Sequence, residues 1–210
     1  MKVSRALIRK IIIESACNQV NKKIFSGIDA MKANNLIITI DHSYNSLRVE
    51  AYHDITGEVA GYIEASKSFQ LKCAGAYIVS NTEVEQDFRN LGIGALLYDV
   101  AIEIAGKNGL ASDRSAVSQD AERMWFYFNR SNDYDYKSFD TPDGRFTKGY
   151  YDDDCHADPY LSYEGYDDYR EDYREHAFNK AFFKKDLSKP TLGCLAENGL
   201  IDEYSGGYYR

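Results

Sequence analysis

The residues best suited to chemistry lie in one short run, Arg89-Asn90-Leu91-Gly92-Ile93-Gly94-Ala95. An extended stretch ending at Val84 precedes it, and a helical pattern follows it. Glycines at 92 and 94 remove Cβ atoms that would hold an anion away from the backbone. The first helical turn offers N–H groups without intrahelical acceptors, and its dipole favours negative charge. Arg89 adds a guanidinium that can bond a phosphate through two N–H groups. A pyrophosphate is the natural guest of such a turn. The phosphate-loop pattern G-x-x-x-x-G-K-[ST] is absent, which argues against a nucleotide hydrolase. A dinucleotide site needs G-x-G-x-x-G, and Leu97 stands where the third glycine belongs. The plain alternative is a glycine turn that joins strand to helix and holds no ligand.

The elements that must position this run read as follows. Residues 4–31 carry apolar positions close to a 3.6 period, with Ser4 as cap and Gly27 as a candidate break. Leu36 to Ile40, Ser46 to His53 and Glu58 to Ala65 read as strands of an antiparallel meander, with Gly57 in a turn. Ala76 to Val84 is the next strand. Gly94 to Lys107 reads as an amphipathic helix ending at Asn108-Gly109. A short strand is expected over Ser112 to Val117. Ser118 then caps a helix to about Asn129, and Thr141-Pro142-Asp143-Gly144 turns a hairpin between Tyr134–Phe139 and Arg145–Tyr151. Tyr166, Tyr169 and Tyr173 predict a further helix running to Lys185, with Pro190 beyond its end. The order predicts an α+β fold of mixed layers. Composition changes near Tyr151, so residues 1–150 are expected to form the ligand-binding domain and 151–210 a Tyr- and acid-rich, partly helical extension.

Bulk properties narrow the function. Over 210 residues the net charge is −8 and the pI about 5.1, which disfavours nucleic acid and anionic membranes as partners and allows a cationic amine. Cys17, Cys73, Cys155 and Cys194 form no C-x-x-C pair, so zinc is not expected and reduced thiols in a cytoplasmic protein are. Asp152-Asp153-Asp154-Cys155-His156 converges poorly on one ion and reads as a solvated acidic loop; no metal is expected. Met1 to Ile13 is too short and too charged for a signal peptide or membrane span.

The pattern R-x-x-G-x-G, with Val84 five residues before Arg89, resembles the coenzyme loop of the Gcn5-related N-acetyltransferases (GNAT). The resemblance spans about residues 36–150, and Ser118 with Ala121 resembles the start of the next helix of that family. It implies a central, mostly antiparallel sheet flanked by helices, with the chain here adding a helical C-terminal extension. It also implies acetyl-coenzyme A as co-substrate. Its pantetheine arm would bond the backbone near Thr82 and Val84. The pyrophosphate would lie on the N–H groups of Asn90, Leu91, Gly92, Ile93, Gly94 and Ala95, with Arg89 nearby and Ser118 beside the coenzyme. The reaction implied is direct acyl transfer to an amine on a small molecule or protein.

Two positions depart from the family pattern. Strict alternation would put Ile78, Ser80 and Thr82 on the Val84 face, where many relatives carry a glutamate. None is acidic, so Ser80 or Thr82 would have to hold a water, or Glu64 or Glu50 would serve as base. Trp125 stands where the family places the tyrosine that protonates the leaving thiolate. Tyr127, about 200° further round the helix, is the candidate hydroxyl. The second expectation is therefore a catalytically weak member acting as a structural or interaction module, with 151–210 docking a partner protein; a homodimer is a separate expectation.

Overall fold

A computed structural model describes residues 16–67, 75–112, 117–139, 146–147, 177, 180–185 and 189–206. Four longer helices are named here: Lys22–Ala33 (α1), Ile93–Ala105 (α2), Gln119–Arg130 (α3) and Pro190–Glu197 (α4). Nine strands are described: Leu36–His42 (β1), Ser46–His53 (β2), Val59–Lys67 (β3), Tyr77–Val84 (β4), Leu110–Ala111 (β5), Tyr134–Phe139 (β6), Phe146–Thr147 (β7), Lys180–Lys184 (β8) and Ile201–Gly206 (β9). They form one sheet in the order β7-β6-β8-β5-β4-β3-β2-β1-β9. The β4–β5 and β1–β9 pairs are parallel and the other pairs antiparallel. The α+β class is thus the one the element order predicts, and the mostly antiparallel sheet the one the resemblance implies.

The first helical segment departs from its expected span. Residues 16–18 are helical, the chain turns, and α1 restarts with the Asn21 side chain accepting a hydrogen bond from Lys23 N at 2.9 Å. The break therefore falls at a capping asparagine. Gly27 lies inside α1 with Ile24, Ile28 and Met31, all buried. Ser4 and its turn fall outside the described residues.

The C-terminal stretch departs further. The charge pattern predicts a helix running to Lys185, yet Lys180 to Lys184 is a strand between β5 and β6, with Ala181 and Phe182 fully buried. An apolar Ala-Phe-Phe core between lysines suits a buried strand, and tertiary burial overrides the helical charge pattern read before it. Pro190 opens α4, where its missing N–H costs nothing. Both β8 and β9 lie beyond residue 150 and still belong to the same sheet. A two-residue strand stands at Leu110–Ala111, and most of the strand expected over Ser112 to Val117 lies outside the described residues. The turn at 141–144, the tyrosines at 166–173, Asp152 to His156, Cys73 and Cys155 lie outside the described residues.

The core gathers around α2. Every residue from Ile93 to Ala105 except Gly94 is buried, including Asp99 and Glu103. These two acids meet the C-terminal segment. Lys184 Nζ lies 2.6 Å from Asp99 Oδ1 and 3.7 Å from Glu103 Oε1. Thr191 Oγ1 donates to Asp99 Oδ2 at 2.5 Å, and Tyr134 Oη donates to Asp99 Oδ1. Glu103 accepts the N–H groups of Thr191 and Leu192 at 3.0 and 2.9 Å, which caps α4. Cys17 and Cys194 form a disulfide that joins the N-terminal helical segment to α4, so the expected reduced thiols do not hold for this pair. Fold proximity of the two helices, invisible in cysteine spacing, is the reason.

Burial, reinforced by Asp99, pushes the Glu103 carboxyl up to about 8, against Lys184 and two backbone N–H groups. Its folded pKa lies above its unfolded value. Its contribution to stability is therefore complete below about pH 4.5 and is lost as pH rises toward 8. Calorimetry from pH 5 to 9 should show the melting temperature falling up to about pH 8 and then levelling. Glu103→Gln should flatten that slope while lowering the whole curve.

Among the described residues, no helix is long and apolar enough to cross a membrane.

Candidate coenzyme site

The strand that leads to the glycine loop is not regular. Across the β3–β4 ladder, Glu64 pairs with Asn81 but Ala65 pairs with Val79, so Ser80 is an extra, bulged residue. Strict alternation therefore fails. Ile63 pairs with Thr82 and Gly61 with Val84, which puts Thr82 and Val84 on the core face with Val79 and Tyr77. Ile78 sits on the opposite face, paired with Ser66. Ser80 is exposed, its hydroxyl donating to Glu64 O at 3.4 Å. The bulge was not legible because nothing in Val79-Ser80-Asn81 is a glycine or another bulge marker.

On its other edge β4 pairs with β5 only at Tyr77 and Ile78. From Val79 onward, among the described residues, no strand lies on that edge. Ser112 follows β5 directly; it is 3% exposed, and its hydroxyl has no hydrogen-bond partner among the described residues. Among the described residues, β4 thus has no strand partner on that edge beside Thr82 and Val84.

The loop itself contains two left-handed positions, Asn90 at φ 63° and Gly92 at φ 90°. Asparagine tolerates this region better than most residues, and glycine occupies it freely. Arg89 Nε donates to Val84 O at 2.9 Å, which anchors the guanidinium across the turn. The first helical bond of α2 runs from Leu96 N to Gly92 O at 3.0 Å. The N–H groups of Ile93, Gly94 and Ala95 precede it, and no side chain caps this end. The sequence expectation of free amides at this turn agrees with that geometry.

The two glycines serve different ends. A Cβ on Gly92 would lie 2.7 Å from Ser26 Oγ and 2.9 Å from Gly27 N. A Cβ on Gly27 would lie 2.7 Å from Gly92 O. Gly27 and Gly92 therefore let α1 cross directly against the loop and hold it. A Cβ on Gly94 would meet only Val84 Cγ2, at 3.5 Å, an ordinary contact. Nothing in the fold requires glycine there.

The remaining candidates are spread around this frame. Ser118 caps α3, its Oγ accepting from Ala121 N at 3.3 Å. Trp125 is 1% exposed, stacked on Phe182 with centroids 5.9 Å apart and edge-on to Tyr98 at 5.3 Å. Tyr127 packs against Phe128 and Tyr134 at 5.5 and 6.2 Å, with Lys23 Nζ 4.2 Å above its ring. Among the described residues its buried hydroxyl meets no partner in good hydrogen-bond geometry; the nearby Ser131 hydroxyl engages Asp133 at 3.2 Å. Burial, then the charges of Asp133 and Asp99, push the Tyr127 phenol up to about 12, against a small lowering from Ser131. Glu50 and Glu64 are both paired with Arg48, whose guanidinium lies 4.6 Å over the Tyr62 ring. Sequence reasoning missed Tyr98. It is 3% exposed, and its hydroxyl lies beside Thr82 of β4, whose Oγ1 donates to Tyr62 O at 3.2 Å. Its place in an apolar helical pattern disguised it as core.

Comparison with known proteins fits this arrangement. Residues 15–131, more than half of the chain, match the model of the acetyltransferase (GNAT) family. Among curated proteins, none matches. Among solved structures, similarity is found to nourseothricin acetyltransferase at 18% identity, covering 45% of this chain and 68% of that one with a TM-score of 0.33. The ribosomal-protein-S18-alanine N-acetyltransferase from Escherichia coli is similar at 17% identity, over 50% of this chain and 66% of that one, also with a TM-score of 0.33. Overlaps that low add no weight, and the family model carries the assignment. By that match, and consistently with the glycine loop, the chain belongs to the acetyltransferase (GNAT) family.

Proposed function

We propose that this chain is an N-acyltransferase that moves an acetyl group from acetyl-coenzyme A to an amine of a small molecule or a protein. Gly94 carries this reading. A glycine inside a helix costs up to about 1 kcal/mol against alanine, and here neither φ nor packing demands it. Its bare Cα sits among three amides without intrahelical acceptors, beside an anchored arginine. A close-lying diphosphate accounts for all three features. The residues present fit the coenzyme: Arg89 and the amides of Asn90 to Ala95 for its diphosphate, and the open β4 edge at Thr82 and Val84 for its pantetheine arm. Ser118 would lie beside it. Ser80, at the bulge, is the candidate to hold a water that takes the amine proton.

The test is a thermal-shift titration. Acetyl-coenzyme A at millimolar concentration should raise the melting temperature, since ligand bound only to the folded state stabilises it by mass action. Arg89→Glu should abolish the shift. Gly94→Ala should leave the free protein as stable as before, or a few degrees more stable, and weaken coenzyme affinity about tenfold or more. A folded wild type that shows no shift would end the proposal.

A second reading is favoured by Trp125, buried where the resemblance expects a hydroxyl, and by the lack of a carboxylate on the Thr82–Val84 face. It makes the chain a coenzyme-binding module with little turnover. Thiol release in the presence of a panel of amines and peptides separates the two: turnover with any acceptor favours the enzyme, and binding without turnover the module.

A further inference from the structure

Acyl transfer from a thioester breaks a carbon–sulfur bond and forms a carbon–nitrogen bond. The sulfur departs with the electron pair and needs a proton or a hydrogen bond. Trp125 offers no hydroxyl. Tyr98 comes from a different helix, and its position follows from two matched spacings. Gly94 and Tyr98 stand four apart on α2, on one helix face and about 6 Å apart along the axis. Val84 and Thr82 stand two apart on β4, about 6.6 Å apart. Gly94 meets Val84 and Tyr98 meets Thr82, so helix and strand run alongside each other in step. A ligand with its diphosphate on the α2 N-terminus and its arm along the open edge of β4 passes Val84 first and then reaches Tyr98.

The ring of Tyr98 lies edge-on to Trp125 and 6.0 Å from Phe128, which fixes its direction. Its hydroxyl is thereby held beside Thr82, under β4. Burial pushes this phenol well above its ordinary range, and the neighbouring Thr82 hydroxyl only partly offsets that. The group is therefore uncharged at neutral pH and able to donate.

Resting on the coenzyme site proposed above, we propose that the Tyr98 hydroxyl is the donor to the coenzyme's sulfur, in place of the hydroxyl that Trp125 lacks. The amine attacks the thioester carbonyl, and the tetrahedral adduct collapses. The leaving sulfur takes the Tyr98 proton, giving the free thiol and the amide. The proton shed by the nitrogen passes through solvent and restores the phenol.

Binding alone tests this, with no acceptor needed. Calorimetry compares coenzyme A with desulfo-coenzyme A, which carries hydrogen in place of the thiol. Wild type should favour coenzyme A by about five-fold, the worth of one hydrogen bond. Tyr98→Phe keeps the ring, so it should fold, bind desulfo-coenzyme A as wild type does, and lose the preference. Tyr127→Phe should keep it. A preference that survives Tyr98→Phe, or one lost in Tyr127→Phe, would overturn the assignment. So would equal wild-type binding of both ligands, which leaves the coenzyme site standing. Failure of wild type to bind either ligand removes the proposed function and this donor with it.

Discussion

Replacing Lys184 with methionine should lower the melting temperature by on the order of 10 °C. Lys184 is 6% exposed and lies between two acids that are themselves almost fully buried. Methionine matches its length but leaves Asp99 and Glu103 facing each other with no cation. Breaking a buried pair by removing one partner costs about 3–5 kcal/mol, because the charge left behind is uncompensated. For a domain of this size, each 1 kcal/mol is worth about 2–4 °C. The deficit should be slightly smaller at pH 5 than at pH 8, because only beside the lysine does the Glu103 carboxyl, pushed up to about 8, begin to ionise at the higher pH. Calorimetry of wild type and variant at pH 5 and pH 8 checks both statements. A variant melting within about 2 °C of wild type at pH 8 would show that Lys184 is not what holds β8 and α4 to α2.

Gly92→Ala should also be costly, on the order of 3 kcal/mol, for two separate reasons. Its φ of 90° strains any side chain with a Cβ. The new methyl would also lie 2.9 Å from the backbone nitrogen of Gly27, which cannot swing aside as Ser26 Oγ can. Relief requires α1 to move off the loop, so stability and coenzyme binding should fall together. Gly94→Ala makes the informative contrast, with binding lost and stability kept. Chemical denaturation of both variants, followed by coenzyme titration, distinguishes a glycine that serves the fold from one that serves a ligand. Equal destabilisation by the two would remove that distinction.

Much of this was legible in the sequence. Arg89, Gly92 and Gly94 stood out because a positive-φ turn on a helix N-terminus has few residue solutions. The β1–β4 meander and Ser118's cap followed from period and capping chemistry. Other features were hidden for physical reasons. The bulge at Ser80 moves Ile78 away from Thr82 and Val84, and a non-glycine bulge leaves no mark in the residues. Asp99 and Glu103 made α2 look amphipathic, yet their partners Lys184, Thr191 and Leu192 lie more than 80 residues away in the chain. β8 is masked by Lys184, which with Lys185 reads as a helix end; its place over the Tyr134 ring, and the bond of Lys180 to Asn129, explain these buried cations instead. Tyr98 was concealed by its apolar neighbours, because a sequence pattern shows that a side chain is inside but not which atom its hydroxyl meets.

The central claim is that the amides opening α2 hold a diphosphate. Amide resonances followed by NMR while coenzyme A is titrated in, with pantetheine as the reference ligand, test it most directly. Ile93, Gly94 and Ala95 should shift most strongly with coenzyme A and little with pantetheine, which lacks the diphosphate. Saturable binding that leaves those three resonances in place, or moves them equally with pantetheine, would contradict it.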